Sequence, residues 1–424
     1  MVEQRNHNPR VGGSRPSAAI PMNCMDVWDK IVAHTEEIIL PEELKERLAR
    51  DKPLRIKLGI DPTAPDVHLG WATVLWKLRQ FQELGHTAVL IVGDFTAKIG
   101  DPSGQSKTRP QLSDEQIMEN MRHYQEQIFK ILIPEYTEFR YNSEWLSQMR
   151  LDDLIKLASK VTVAQLLVRE DFNTRYKEGN PIALHEFLYP VIQGYDSVMV
   201  KADVEIGGRD QKFNFLLARE LQRYYGQEPE VLVLMPLLLG TDGVRKMSQS
   251  LGNYIGISEP PDEMYGKIMS IPDELIPHYY ELVLRYPKDE VNKIAGAIKS
   301  GEVNPRDLKA KLAWEVVKLY HSEDAADKAA DRFDRIFSKR ELPEEMPTFK
   351  LPARKMRIVD IIHEIGYSGS KSEAKRLIRQ GGVKVNGKVV DDVEQEIDLQ
   401  SGVVVKVGKR KFARVVYGGD TTSR

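Results

Sequence analysis

The sequence predicts an α/β fold: a parallel-sheet domain, then a helical domain, then a small α+β module. Three observations predict it. Residues 54–60 (LRIKLGI) alternate like a strand, residues 71–85 carry apolar side chains at helical spacing and stop on a glycine, and residues 87–93 (TAVLIVG) form a short apolar run. Strand, helix and strand in that order make a βαβ unit, which calls for a parallel sheet. From about Pro260 the pattern becomes successive amphipathic helices, each opened by proline or an acidic residue. Past a proline-rich stretch at residues 341–354, two helical segments are followed by short strands such as GVKVNGKVV and GVVVKVG.

At 424 residues the chain is long enough for two or three domains with real cores. With 41% hydrophobic and 29% charged residues it reads as an ordinary water-soluble protein. The single cysteine, Cys24, excludes a disulfide framework and a cysteine zinc site. No apolar run has the length of a bilayer span, and the N-terminal residues lack the apolar core of a secretion signal. A cytoplasmic protein without membrane contact is expected, with Met22 or Met25 as candidate starts. A net charge of only -2 means that any nucleic-acid contact must use a local basic patch.

The remaining elements follow the same logic. Residues 25–50 read as helix broken at Pro41, Ser113 and Gln116 form a capping box, and TEFRYN, KADVEIGG and VLVLMPLL are strand-like. The resulting division is a disordered tail at 1–24, the parallel-sheet domain at 25–245, the helical domain with its leading loop at 246–340, a linker at 341–356, the small module at 357–419 and a tail at 420–424.

Four segments carry chemistry. In DPTAPDVHLGW (residues 61–71), His68 stands at a helix start, where free N–H groups and the helix dipole favour anions. Gly70 lets a flat or charged ligand approach the backbone, and Pro62 and Pro65 stiffen the entry. Asp61 and Thr63 would face the mouth beyond the strand's carboxyl end, where open α/β sheets bind ligands. A capped helix start with a surface histidine fits the same residues. In GTDGVRKMSQSLGN, glycines on both sides make KMSQS a mobile loop, with Lys246 beside Arg245 in reach of a phosphate. A solvated basic loop fits as well.

In LYPVIQGYD, Tyr189, Gln193 and Asp196 fall at i, i+4 and i+7 on one helix face, with Pro190 tolerated near the start or kinking it. A phenol, an amide and a carboxylate on one face are not a packing pattern. The carboxylate suits a phenolic hydroxyl and the amide an ammonium; a half-exposed polar stripe is the plainer alternative. Near the C-terminus, Lys371, Lys375, Arg376 and Arg379 recur along a helix at spacings of three and four, with Lys384 and Lys388 on the following turn and strand. That is a compact footprint for phosphates, or a solvated basic helix.

Together the motifs resemble those of a known family. HLGW followed by KMSQS resembles the HIGH and KMSKS pair of the class I aminoacyl-tRNA synthetases. LYPVIQGYD, IGGRDQKFN (206–214) and IGDPSG (99–104) resemble segments of the tyrosyl-tRNA synthetases, and SGSKSEAKRLIRQGGVKVNGKVV resembles an RNA-binding module that ends the bacterial enzymes and is shared with a small-subunit ribosomal protein. The resemblance implies a Rossmann-like catalytic domain, a helical anticodon-binding domain and a C-terminal RNA-binding module. It implies that ATP and L-tyrosine form tyrosyl-adenylate and pyrophosphate, and that the tyrosyl group then passes to the 3' end of tRNA(Tyr).

Specific roles follow from the same resemblance. Thr63, His68, Lys246 and Arg109 would be catalytic donors, with Lys107 and Arg109 on a flap over the pyrophosphate. Asp61, Gly70, Trp71, Gly208, Asp210, Met247, Ser248 and Gln249 would bind ATP, with Gly208 and Asp210 on the ribose. Gly59, Asp101, Tyr189, Gln193, Asp196 and Gln211 would bind tyrosine, and the six basic residues from Lys371 to Lys388 would bind RNA. ATP would enter as its Mg2+ complex, no cofactor would be tightly bound, no protein metal site is implied, and the enzyme would be a homodimer. Trp71 and Gln249 stand where the family usually has a second histidine and a second lysine, and Lys57 where many bacterial relatives place a tyrosine. A tryptophanyl enzyme of similar fold and a tRNA-binding paralogue with weak chemistry are the alternatives; Gln193 and the C-terminal module argue against the first.

Overall fold

Short runs of branched apolar residues build the first sheet. In the computed structural model, which describes residues 24–60, 66–98, 114–337, 346–408 and 411–418, its strands are β1 (Glu37–Ile39), β2 (Arg55–Ile60), β3 (Thr87–Val92), β4 (Thr137–Tyr141), β5 (Val204–Gly208) and β6 (Val231–Met235). Their order is β1-β6-β5-β2-β3-β4, with β1 antiparallel to β6 and the other neighbours parallel. Every residue of β6 is buried, as expected for a strand covered on both faces. The five strands expected from the sequence are present. The stretch read as broken helix is two helices, Cys24–Val32 and Pro41–Leu48, with β1 between them. Three residues at a sheet edge are too few to show a period, and β1 exists because β6 supplies its partners.

Chain order fixes where a ligand can enter. From β2 the chain builds β3 and β4 on one side, then returns to lay β5 and β6 on the other. The order therefore reverses between β2 and β5, the switch point at which open α/β sheets form a crevice outside the carboxyl ends of the strands. Strands β2 and β3 pair over six residues, whereas β2 and β5 pair only at Ile56↔Val204 and Lys57↔Glu205. Beyond that rung the two strands run on without pairing, and Gly59 and Gly208 stand at their carboxyl ends.

The helix Leu184–Val200 follows four short helices at residues 143–177 and packs on the helix Lys212–Tyr224. Gly194 makes this packing possible. A Cβ there would come within 2.9 Å of Leu221 Cδ1, 3.1 Å of Ala218 Cα and 3.2 Å of Ala218 N.

The chain divides into two compact units, residues 1–259 with 271–308, and residues 260–270 with 309–424. In the second, the helices Pro261–Met269 and Glu323–Phe337 pack through Tyr265 and Phe333, with ring centroids 5.4 Å apart. The small module has a five-stranded sheet, ordered β10-β9-β12-β13-β7, from β7 (Thr348–Leu351), β9 (Val383–Val385), β10 (Lys388–Val389), β12 (Val403–Val407) and β13 (Lys411–Tyr417). A two-stranded sheet pairs β8 (Lys355–Arg357) with β11 (Glu396–Asp398). Ile358, Ile361, Ala374, Ile378, Val405 and Val415 lie in its core. Part of the stretch read as linker is thus the edge strand β7, paired in parallel with β13. Ser113 of the expected capping box lies outside the described residues; the helix Asp114–Ile128 begins at the next position.

Replacing Gly194 with alanine should destabilise the protein by about 1–3 kcal/mol through overpacking, although alanine is the better helix former by about 1 kcal/mol. The backbone of Ala218 cannot step aside as the Leu221 side chain can. Equilibrium denaturation of the variant measures this, and equal or greater stability would mean that the two helices have slack.

Candidate active site

His68 caps the helix Leu69–Glu83 with its own side chain. Its Nδ1 accepts the backbone N–H of Trp71 at 3.3 Å. An imidazole that accepts at Nδ1 while neutral carries its proton on Nε2, so it presents a donor there. It is not the surface histidine of the plainer sequence reading, being only 8% exposed. Burial, and then the positive charge of Lys246, push its pKa down to about 4. His68 is therefore a neutral donor at physiological pH. A side chain at Gly70 would come within 3.1 Å of the His68 ring and 3.4 Å of Met247 Cβ.

The KMSQS loop is docked on this turn. Gln249 Nε2 donates to the Asp66 carbonyl at 2.5 Å, and Tyr254 Oη donates to the Asp66 carboxylate at 3.3 Å. Leu69 N–H donates to Ile255 O and Ile257 N–H to Val67 O, each at 2.9 Å. Asn253 holds the loop from inside: its Oδ1 accepts from Ser248 N–H at 2.9 Å, and its amide donates to Asp242 at 3.0 Å and to the Lys246 carbonyl at 3.1 Å. Lys246 Nζ pairs with Asp210 Oδ2 at 2.5 Å, both side chains being partly exposed. The Gly208 position is explained by Asp210, whose Oδ1 would lie 2.6 Å from a Cβ there.

Asp210 leads directly to the polar face of the helix Leu184–Val200. The amides of Gln193, Gln211 and Asn214 form one network: Asn214 Nδ2 donates to Gln193 Oε1 at 2.8 Å and to Gln211 Oε1 at 3.0 Å. Arg169 fixes Asn214 from behind at 3.2 Å. Tyr189 and Asp196 are buried on the same helix. The Asp196 carboxylate accepts from Trp145 Nε1 at 2.9 Å and Asn142 Nδ2 at 3.4 Å. Contacts thus run from His68 and Gly70 through Met247, Lys246 and Asp210 to Gln211, Gln193 and the Asp196 helix, all beside the β2/β5 switch point. A Cβ at Gly59 would meet no protein atom within 4 Å, so protein packing does not account for a glycine there. Asp61, Thr63, Asp101, Lys107 and Arg109 lie outside the described residues.

Comparison with known proteins bears on what such a site does. Residues 49–338 match the family described as tRNA synthetases class I (W and Y), and residues 356–403 match the S4 domain. The tyrosine--tRNA ligase of Thermotoga maritima is 52% identical over 91% of this chain and 96% of its own. That of Aquifex aeolicus is 53% identical over 91% of this chain and 97% of its own. The crystal structure of an Archaeoglobus fulgidus tyrosyl-tRNA synthetase complexed with L-tyrosine superposes with a TM-score of 0.59 at 25% identity, over 73% of this chain and all of that one.

The chain belongs to the class I tyrosyl-tRNA synthetase family.

Three features of this synthetase were not legible in its motifs. Trp145 and Asn142 lie outside the family motifs, and Asn214 ends one of them with no role assigned to it, yet they set the carboxylate and the amides of the polar face. Lys57 is fully buried, with Nζ 2.6 Å from Ser197 Oγ, 2.8 Å from Glu205 Oε1 and 3.3 Å from the Gln193 carbonyl. Burial opposes its charge, but Glu205, Glu230 and Asp196 outweigh this and hold its pKa above the ordinary lysine value. Burial and the neighbouring Glu205 push the Glu230 carboxyl well above its ordinary range.

In the S4 domain, Ser370 caps the helix Lys371–Arg379. Lys371 is tied to Asp360 at 2.8 Å. Lys375, Arg376, Arg379, Lys384 and Lys388 have no ion pair among the described residues, and all but the half-buried Lys375 are exposed. The sequence reading missed Lys406, which lies directly across from Lys384 in the sheet.

The His68 environment has a measurable consequence. A group whose folded pKa is depressed contributes stability that is present above its unfolded value and lost as pH falls through the folded one. Between pH 6.5 and about 4, His68 should withdraw about 3 kcal/mol of stability. A His68→Gln variant should show a correspondingly flatter acid limb in denaturation, and NMR titration should place the His68 midpoint near the lower value. A midpoint at 6 or above would contradict the geometry.

Proposed function

We propose that this enzyme activates L-tyrosine with ATP and transfers the tyrosyl group to the 3' end of tRNA(Tyr). The observation that carries the reading is that His68 lies under the charge of Lys246, whose partner Asp210 adjoins the Gln211–Asn214–Gln193 network of a helix that also buries Asp196. The tyrosine carboxylate attacks the α-phosphorus of ATP, the bond to the bridging oxygen breaks, and pyrophosphate leaves. The ribose hydroxyl of the tRNA then attacks the acyl carbon and AMP leaves. No protein nucleophile is needed; the protein positions the reactants and stabilises charge on the phosphates.

Each described residue takes a role its surroundings support, and the family resemblance assigns the others theirs. His68 offers a neutral Nε2–H to phosphate, with the helix start behind it. Lys246 exchanges its Asp210 partner for phosphate oxygens, which frees Asp210 for the ribose hydroxyls. Gly70 and Met247 frame the nucleotide, with Trp71, Ser248 and Gln249 around it. Gln249 also acts on the protein, because its amide docks the loop on Asp66. Asp196 accepts the phenolic hydroxyl while Trp145 and Asn142 hold the carboxylate in place. A substrate lacking that hydroxyl leaves a buried charge short of a partner, which disfavours phenylalanine. Gln193, Tyr189 and Gln211, with Asp101 and Gly59, hold the rest of the amino acid; Asp61, Thr63 and Arg109 complete the nucleotide side. Magnesium arrives with ATP, and among the described residues there is no group of three or more His, Cys, Asp or Glu suited to a metal.

The helices of residues 246–340 serve the anticodon end, and the S4 domain holds RNA through Lys371, Lys375, Arg376, Arg379, Lys384 and Lys388. Purified protein should support tyrosine-dependent ATP–pyrophosphate exchange. Serine at Lys375, Arg376 and Arg379 together should spare exchange and reduce tRNA charging at least tenfold at moderate salt, about what three lost phosphate contacts imply. Exchange driven by tryptophan alone, or tRNA binding without charging, would reject the assignment.

The enzyme acts as a homodimer in the cytoplasm. No described helix is long and apolar enough to cross a membrane. A dimer is supported by a run of bare apolar side chains between residues 151 and 184: Leu151, Val168 and Leu184 are each more than 70% exposed, with Ile155 and Val163 near 60%. Such a patch marks an interface. Light scattering should give twice the chain mass of 48.4 kDa, and Ile155→Asp should shift it toward a single chain. A wild-type protein of single-chain mass would exclude this.

A further inference from the structure

We propose that Lys57 is the positioning residue of the amino-acid pocket, anchoring the helix turn that carries Gln193 and Asp196 to the last rung between β2 and β5. The inference rests on the reading of that helix face as the tyrosine site.

The geometry is specific. Lys57 and Glu205 are partners in register, the final pair before β2 and β5 part. From this rung the ammonium reaches up to the helix and touches two points one turn apart, the Gln193 carbonyl and the Ser197 hydroxyl. Asp196 lies between them in sequence and bears on the same charge. Glu205 is 1% exposed, as is Lys57, so neither group exchanges with water.

A merely structural account is incomplete. A buried ion pair is poor material for stability, because desolvation offsets most of its attraction and apolar residues of similar volume often replace it at no loss. A closed ion pair whose ammonium also bonds two points of the helix above it suits a different task. A charged anchor is directional, where an apolar contact lets a helix slide. The pocket needs its carboxylate and amide held to a fraction of an ångström, since selectivity depends on short hydrogen bonds. Pro190 has no N–H for the Glu186 carbonyl, so the ladder of this helix is interrupted one turn before Gln193.

The test uses the full chain with a Lys57→Met and Glu205→Leu double variant, which removes both charges together and so leaves no orphaned one. Its melting temperature, the tyrosine and ATP KM values in exchange, and the preference for tyrosine over phenylalanine are measured. The double variant should melt no lower than the parent. Its tyrosine KM should rise about tenfold, the effect of one charge-assisted bond misplaced, with the ATP KM nearly unchanged and the preference for tyrosine reduced. A folded double variant with unchanged tyrosine KM and preference overturns the proposal, as does an equal rise in both KM values. If the double variant does not fold, a Lys57→Gln and Glu205→Gln double variant, which removes both charges and keeps polar side chains that can bond each other, decides by the same split. Gln193→Ala is the control arm: an unaltered tyrosine KM there refutes the pocket reading and this inference with it. A raised KM in that arm beside an unaltered double variant refutes the inference alone.

Discussion

Everything in the catalytic unit depends on the short pairing of β2 with β5. Two rungs, Ile56↔Val204 and Lys57↔Glu205, hold the strands together, and the chain then parts to form a crevice. Gly59 and Gly208 are paired with the outer strands β3 and β6, and pairing of β2 with β5 to their ends would close the gap between them. If they parted earlier, the helix with Asp196 would lose its floor. The crevice is therefore a consequence of where pairing stops, and the polar groups are gathered there because the chain order reverses there.

Two ion pairs in this crevice differ in kind. Lys246 and Asp210 are 42% and 28% exposed in their side chains, so water already competes for them and their mutual attraction contributes about 0–1 kcal/mol. Such a pair keeps two reactive groups near each other and yields to a phosphate or a ribose at little cost. Lys57 and Glu205 are closed to water, and breaking that pair by removing one partner would leave a buried charge at a cost of about 3–5 kcal/mol. One pair is suited to exchange during turnover and the other to staying fixed while the first exchanges.

The fold was largely legible because periodicity survives at short range. Strands β2 to β6 and the helices after Pro260 each carry enough residues to show a period or an apolar run. What escaped was held by partners distant in sequence. The three residues of β1 owe their conformation to β6, and β7 owes its to β13 more than sixty positions away. The site divides the same way. His68 stood out at a helix start, Lys246 in a loop flanked by glycines, and Gln193 and Asp196 as polar groups sharing one helix face. Trp145, Asn142 and Asn214 did not, because an aromatic or an amide in a loop or helix is unremarkable until the fold brings a carboxylate or another amide against it. Lys57 was visible as a charge inside a strand and as a departure from the tyrosine of many relatives, but nothing local announces a partner 148 positions later.

The two positions that depart from the family motifs can now be weighed physically. Trp71 stands where the family usually has a histidine, but what the turn takes from this position is its backbone N–H, which every residue but proline has, and which fixes the imidazole tautomer. The indole changes the surroundings of the nucleotide without changing that tautomer. Gln249 likewise surrenders a charge, but its amide makes a direct bond to the Asp66 carbonyl. A lysine there could donate to the same carbonyl only by giving up its reach toward phosphate. The sequence thus trades one mobile charge for a docked loop and leaves Lys246 paired with Asp210 as the charge nearest His68 in the proposed nucleotide site. That division is self-consistent because the Asp210 pair is weak enough to release Lys246, while the Asp66 bond keeps the backbone of the loop in place as it does so.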